Sequence, residues 1–340
     1  MTSNLRIGAF LASLAATLAG VGFVSSGTRA QQAPTQKPGE NRVTEAQLDT
    51  WMQELSNWGR WGQDDLLGAA NTITPEKRRQ AAALVRTGEL VSLSHDLMTG
   101  GVASEFSVPF VLQMKIFPER QVARDRIDID PHGGAFTHLD ALCHMAYRGR
   151  FYNNVPYETA TAAGCKLGIN NLKDGIVTRG VLIDIPRLRN LPYLDGGTHV
   201  YREDIEAWEK QAGVKVAPGD ALVLRTGRWA KRAKPGSGGY DASFLPFLKD
   251  RDVAILGSDA AQDVGVIPGC TNKGPVTTMC WEAVHKFALV ARGMHLFDNL
   301  DLEAVADTAA RLKRWEFLLM AAPIRVPGGT GSPINPIAVF

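Results

Sequence analysis

The chain has 340 residues, 45% hydrophobic and 21% charged, with a formal net charge of +2. This composition excludes an intrinsically disordered chain and a strongly basic nucleic-acid binder, and the length suffices for one enzyme-sized core.

Residues 1–30 predict a secretory leader. Arg6 precedes an apolar run over residues 7–24, and small residues follow up to Thr28-Arg29-Ala30, with cleavage expected after Ala30. An uncleaved anchor is the alternative, although a run so rich in Gly and Ala is weak for a span of about 20 residues. Cleavage would take Lys plus Arg from 37 to 35 against 35 acidic residues. The expected mature protein is therefore nearly neutral, periplasmic or secreted, with no nucleic-acid partner and no stable membrane association.

Residues 31–43 are rich in Gln and Pro and predict a flexible lead-in, which leaves residues 44–340 as one domain. Thr44 is placed to cap a helix from Glu45, with Gln47 at the capping-box position. A second helix is expected from Thr74-Pro75-Glu76 to near Gly88, because Pro suits the first helical turn. Short apolar runs at residues 91–94, 181–184, 221–224 and 253–256 predict buried strands, and a helix is expected over 203–211. Strands and helices thus alternate in the second half, and the first half is expected to be irregular.

In that first half lies Asp130-Pro131-His132-Gly133-Gly134-Ala135-Phe136-Thr137-His138-Leu139-Asp140-Ala141-Leu142-Cys143-His144, which gathers three of the seven histidines around one carboxylate. In an extended segment residues 138 and 140 point to the same face, so an imidazole and a carboxylate can converge on one cation. A lone histidine is more often a hydrogen-bonded structural residue, but this cluster lacks the apolar periodicity of core filling. The four cysteines are too few for a disulfide scaffold. Cys270 and Cys280 can close a small loop, and Cys143 reads as core.

His138-Leu139-Asp140-Ala141-Leu142-Cys143-His144 resembles the H-x-D-x-x-x-H core of the cyclase-like metal-dependent hydrolases, the family of bacterial kynurenine formamidase and isatin hydrolase. Ile73-Thr74-Pro75-Glu76-Lys77-Arg78, Leu224-Arg225-Thr226-Gly227, Gly257-Ser258-Asp259 and Gly328-Gly329-Thr330-Gly331-Ser332-Pro333 extend the resemblance over much of the chain. It implies a mixed α/β fold of the swivelling β/β/α type in a single domain. It also implies one or two zinc or manganese ions held by His138, Asp140, His285 and Asp298, with His144 as the acid/base residue. The family pattern H-x-G-T-H-x-D-x-x-x-H places its first ligand at Gly134. A two-residue insertion, Ala135-Phe136, would restore that ligand as His132. Asp298 stands where the family keeps a Glu. The implied activity is hydrolysis of a small-molecule amide, cyclic amide or lactone by a homodimer or larger assembly. A lyase or cyclase on the same site and a metal-containing binding protein are the alternatives.

Other features leave alternatives open. Asp259 reads equally as a residue that orients a ligand imidazole and as a turn carboxylate, and the segment from Gly328 to Pro333 reads as a structural turn. Trp58, Trp61, Phe136, Tyr147 and Tyr152 are candidates for a substrate-facing wall, or for ordinary core. His95, His199 and His295 are expected at the surface or behind the ligands. A serine hydrolase is disfavoured because no G-x-S-x-G elbow occurs.

Overall fold

The computed structural model describes residues 40–97, 110–132, 134, 136–230, 236–270 and 280–340. The expected leader and residues 31–39 of the lead-in lie outside the described residues. Among the described residues no helix is long and apolar enough to cross a membrane.

Thirteen strands and seven α-helices are described. The strands are β1 (Leu90–Ser92), β2 (Val111–Phe117), β3 (Val122–Asp128), β4 (His138–Asp140), β5 (Ile176–Asp184), β6 (His199–Val200) and β7 (Ala221–Arg225). They continue with β8 (Gly239–Tyr240), β9 (Ile255–Ser258), β10 (His295–Asp298), β11 (Glu316–Ala321), β12 (Gly331–Pro333) and β13 (Ile337–Val339). The helices are α1 (Glu45–Glu54), α2 (Pro75–Ala82), α3 (Ile185–Leu188), α4 (Arg202–Ala212), α5 (Leu245–Asp250), α6 (Ala283–Lys286) and α7 (Glu303–Leu312).

Nine strands form one mixed sheet in the order β1-β13-β11-β5-β7-β9-β10-β4-β12, curled into a half-barrel. Its middle is parallel, from β5 through β7 and β9 to β10, and both flanks are antiparallel. The central strands are buried along their whole length, which is why they read as continuous apolar runs rather than alternating ones. α4 covers β5 with Trp208, fully buried, whose indole N–H donates to the Leu182 carbonyl at 2.8 Å. The mixed α/β expectation is therefore met.

Local chemistry sets the element ends. The Thr44 hydroxyl accepts from the Gln47 N–H at 3.3 Å and caps α1. α2 begins as expected at Pro75, capped by Thr74, but stops at Ala82 rather than near Gly88. The N–H groups of Thr87 and Gly88 donate instead to the carbonyl of Phe340, so the C-terminal residue takes over where the helix would have continued. The fourth expected strand lies two residues later than its apolar run, at β9.

After α6 the helix widens into a π-helix, Phe287–Arg292, every residue of it buried. It ends at Gly293, whose φ of +58° suits glycine. The Gly293 carbonyl accepts from the Ala69 N–H at 2.7 Å. A Cβ added at Gly68 would lie 2.0 Å from that same carbonyl oxygen, so this backbone crossing leaves no room for a side chain. The crossing ties the first half of the chain to the helix that carries His285.

Candidate metal centre

The parallel strands deliver their carboxyl ends to one region, as open α/β sheets do at ligand sites. Asp298 closes β10, and the antiparallel neighbour β4 brings His138 directly opposite it in the register. Asp140, two residues along the same strand, points to the same face. His285 enters from α6. The alternation expected for residues 138 and 140 is thus realised in a real strand.

His132, His138 and Asp140 form one group, and Asp140, His285 and Asp298 another, with all candidate donor atoms within 4.8 Å of one another in each. His132 Nδ1 lies 3.0 Å from Asp140 Oδ1 and His138 Nε2 lies 3.5 Å from it. His285 Nε2 lies 3.0 Å from Asp298 Oδ2 and 3.9 Å from Asp140 Oδ2. Asp140 is fully buried, yet neither carboxylate oxygen has a hydrogen-bond partner, and the same is true of His132 Nδ1. Buried polar atoms without partners are costly unless a cation supplies the missing interaction. Three imidazoles and two carboxylates form an N/O donor set that suits a divalent metal ion.

The other atoms of these side chains are fixed from behind. His138 Nδ1 donates to the Phe136 carbonyl at 2.8 Å, which leaves Nε2 free to face the carboxylates. Asp263 accepts from His285 Nδ1 at 2.5 Å and from the backbone N–H groups of Val284 and His285. The Gln262 amide donates to Asp298 Oδ1 at 2.7 Å. His295, fully buried, donates to the Asp140 carbonyl at 2.8 Å. Thr330 Oγ1 lies 2.9 Å from His132 Nε2. Such contacts set the tautomer and aim of ligand side chains.

Electrostatics follow from this packing. Burial works to raise the Asp140 carboxyl, but His144, His132, His138 and His285 around it hold it well below the usual carboxylate range. Burial alone would lower His285; Asp298 and Asp263 outweigh it and hold the imidazole well above its usual value. His144 is pushed down to about 4, chiefly by burial, with Asp140 opposing and the other three histidines adding to the shift. Its ring stacks on that of His132, centroids 3.8 Å apart and planes 1° apart.

All five expected ligand residues and His144 therefore meet, including His132, which the chain brings in from six residues before His138. Asp263, Gln262 and Thr330 went unrecognised in the sequence. Asp263 stands only four residues after Asp259, and no spacing rule distinguishes the two. Asp259 proves to be the turn carboxylate. It accepts from the N–H groups of Thr226, Gly227 and Arg228 and from the Thr226 hydroxyl at 2.7 Å, and burial still pushes it up to about 6.

Three further expectations change. The glycine-rich segment is more than a turn, since Gly331 and Ser332 belong to β12, which pairs with β4, the strand that carries His138 and Asp140. A Cβ at Gly331 would lie 2.6 Å from His132 Cε1, so glycine there makes room for the imidazole. Cys143 is buried but is not simply core: it is disulfide-bonded to Cys165, while Cys270 pairs with Cys280 as the short loop suggests. The five aromatic candidates do not form one wall. Phe136 packs on Phe110 in a small cluster of its own and Tyr152 is fully buried. Trp58 and Tyr147 line a cavity of about 510 Å³ that includes none of the metal-facing residues.

The family model described as "Putative cyclase" matches residues 91–262 of the chain. A solved structure of a novel cyclase is 32% identical, with a TM-score of 0.73 over 84% of this chain and 100% of its own. The chain belongs to the cyclase family. The fold of this cyclase-family chain is also similar to isatin hydrolase A from Labrenzia aggregata, solved with benzyl benzoate, at 20% identity and a TM-score of 0.51 over 76% of this chain and 96% of that one. A second isatin hydrolase, bound to the product analogue thioisatinate, matches at 19% identity and a TM-score of 0.50 over 76% and 94%. No curated protein matches the chain.

Proposed function

We propose that this cyclase-family chain is an exported metal-dependent hydrolase that opens an amide, cyclic amide or lactone of a small molecule. The observation that carries the proposal is Asp140: a buried carboxylate, both oxygens without hydrogen-bond partners, shared between two His/Asp groups. His132, His138, Asp140, His285 and Asp298 would hold one or two zinc or manganese ions. Such an ion supplies Lewis acidity, polarising a carbonyl and making water a nucleophile near neutral pH.

The protein's own groups supply the rest. His144 is kept neutral by burial, so near pH 7 it can take a proton from the attacking water and return it to the leaving nitrogen or oxygen. Its stack on His132 holds it against the ligand cluster. Asp263 and Gln262 fix His285 and Asp298 from behind, so these groups need not reorganise during turnover. Export is supported by the leader-like residues 1–30 and by two disulfides, which persist in an oxidising compartment.

The test is metal content of the purified protein, followed by a screen of N-formyl aromatic amines, isatin-like lactams and lactones. Metal-dependent ring opening or deformylation supports the reading. Metal-dependent dehydration or ring closure would instead make the site that of a lyase, and bound metal with no turnover on any class would mark a binding protein.

A further inference from the structure

The cavity lined by Trp58 and Tyr147 has a chemistry of its own. α1 contributes Asp49 and Met52 to its lining, and the π-helix contributes Val290. The loop after His144 adds Arg148, Arg150 and Asn154. A volume of about 510 Å³ is that of a small-molecule site. Trp58 forms a fixed wall: its indole N–H donates to the Val290 carbonyl at 2.6 Å, and its backbone N–H donates to Ser56 Oγ at 3.0 Å. The residue is nevertheless 38% exposed, so its ring is held in place without being buried. Met52 and Val290 add further apolar surface.

The charged lining sets two arginines against one aspartate. Asp49 is already engaged, accepting from the Tyr147 hydroxyl and pairing with Arg148. Arg150 differs. Its backbone is pinned by exchange of hydrogen bonds with Tyr147 at 2.9 and 3.0 Å, yet among the described residues its guanidinium has no carboxylate partner and no hydrogen bond. Asn154 likewise has an unengaged amide and sits at a left-handed φ of +61°, next to Asn153 at +58°. Two such residues in succession persist only where the surroundings hold them. The Asn153 amide does so, accepting from the Gly59 N–H at 2.7 Å and donating to the Gly62 carbonyl at 2.9 Å.

An unpaired guanidinium fork, a neutral amide and a fixed indole plane around one cavity select the ligand. The fork matches a carboxylate, the amide can donate to the same anion, and the indole favours a flat apolar body. Two arginines disfavour a cation, and a neutral molecule would leave the charge of Arg150 unmatched. We propose that this cavity is a second ligand site, separate from the metal centre, for a small aryl carboxylate whose anionic group pairs with Arg150 and whose ring lies against Trp58. The site adjoins the metal centre through two chain segments: Val290 belongs to the helix that continues α6 from His285, and Tyr147 follows closely on His144. It goes beyond the proposed hydrolysis and does not depend on it, since no residue lining the cavity faces the metal.

Titration of benzoate into the purified full-length protein, followed by ligand-observed NMR, tests the proposal. Saturable binding with a Kd of about 1 mM or tighter is expected for an anion of this size. Benzyl alcohol keeps the ring without the charge, and acetate keeps the charge without the ring; each should bind at least about tenfold more weakly. Arg150→Gln removes the cation, and Asn154→Asp sets a second carboxylate in the cavity at a backbone conformation that Asp tolerates. Each variant should weaken benzoate binding at least about tenfold, with circular dichroism unchanged because both side chains are exposed. Removing metal with a chelator should leave benzoate bound. The proposal is overturned if benzoate shows no saturable binding, if either variant binds it like the wild type, or if benzyl alcohol or acetate binds as tightly. Loss of binding on metal removal would also overturn it, by placing the carboxylate at the metal centre. None of these readings uses turnover, so failure of the substrate screen and failure of this site are distinguishable.

Discussion

Asp263 Oδ2 accepts a hydrogen bond from His285 Nδ1 at 2.5 Å, while His285 Nε2 on the other side of the ring lies 3.0 Å from Asp298 Oδ2. One carboxylate fixes the imidazole from behind and the other shares its ligand face. Asp263→Asn should therefore weaken metal binding by about 10–100-fold, the usual cost of removing such a partner. Titration of the metal-free protein against a chromogenic zinc chelator reads this directly. Unchanged affinity would mean that α6 alone orients His285.

His138→Ala and Asp140→Ala should both abolish tight metal binding, because each withdraws a donor from the shared cluster. His132→Ala should weaken it as strongly as His138→Ala, given the 3.0 Å approach of His132 Nδ1 to Asp140. Thr330→Ala removes only the contact behind His132 and should cost less. Elemental analysis after dialysis ranks the four variants, and full metal occupancy in His132→Ala would make His132 a substrate-facing residue.

His144→Ala should leave metal bound while the hydrolysis rate falls by about 10²–10⁴, the range for a positioned proton shuttle. The comparison needs a substrate found in the screen and metal content measured on the same sample. Full turnover by the variant would remove the acid/base role from His144.

The metal-free protein should lose stability as pH falls below neutrality. Burial pushes His295 and His144 each down to about 4, whereas in the unfolded chain both titrate near 6.5. Between those values the unfolded state binds more protons, so stability drops as pH falls from about 6.5 to about 4. His285 has the opposite shift, so its contribution is fully present below its unfolded value, while Asp259, pushed up to about 6, takes up its proton in the folded state within this window and offsets one of the two histidines. Melting temperatures measured between pH 7 and pH 4.5 should show the fall, and His295→Gln should make it shallower.

Gly68→Ala should destabilise the fold severely. A left-handed φ of +56° costs a non-glycine residue about 1–2 kcal/mol, and the new Cβ would also overlap the Gly293 carbonyl. Gly88→Ala is the control: its φ is similarly positive, at +73°, but no atom lies within 4 Å of a Cβ there. The melting temperature of Gly68→Ala should fall well below that of Gly88→Ala.

Local pattern determined much of this protein without any three-dimensional information. Thr44 and Thr74-Pro75 start their helices because caps act within one turn, and the apolar runs of β5, β7 and β9 are strands because a parallel sheet buries both faces. His138 and Asp140 share a face because strand residues alternate, so two of the five candidate ligands were legible from a spacing of two. Tertiary structure decided the rest, because the remaining partners are joined through space rather than along the chain. Asp298 faces His138 only through the β4–β10 register, and Asp263 was indistinguishable from Asp259 until one reached His285 and the other the turn after β7. The role of Thr330-Gly331 depends on β12 pairing with β4, a contact across nearly 200 residues of sequence that no local periodicity encodes.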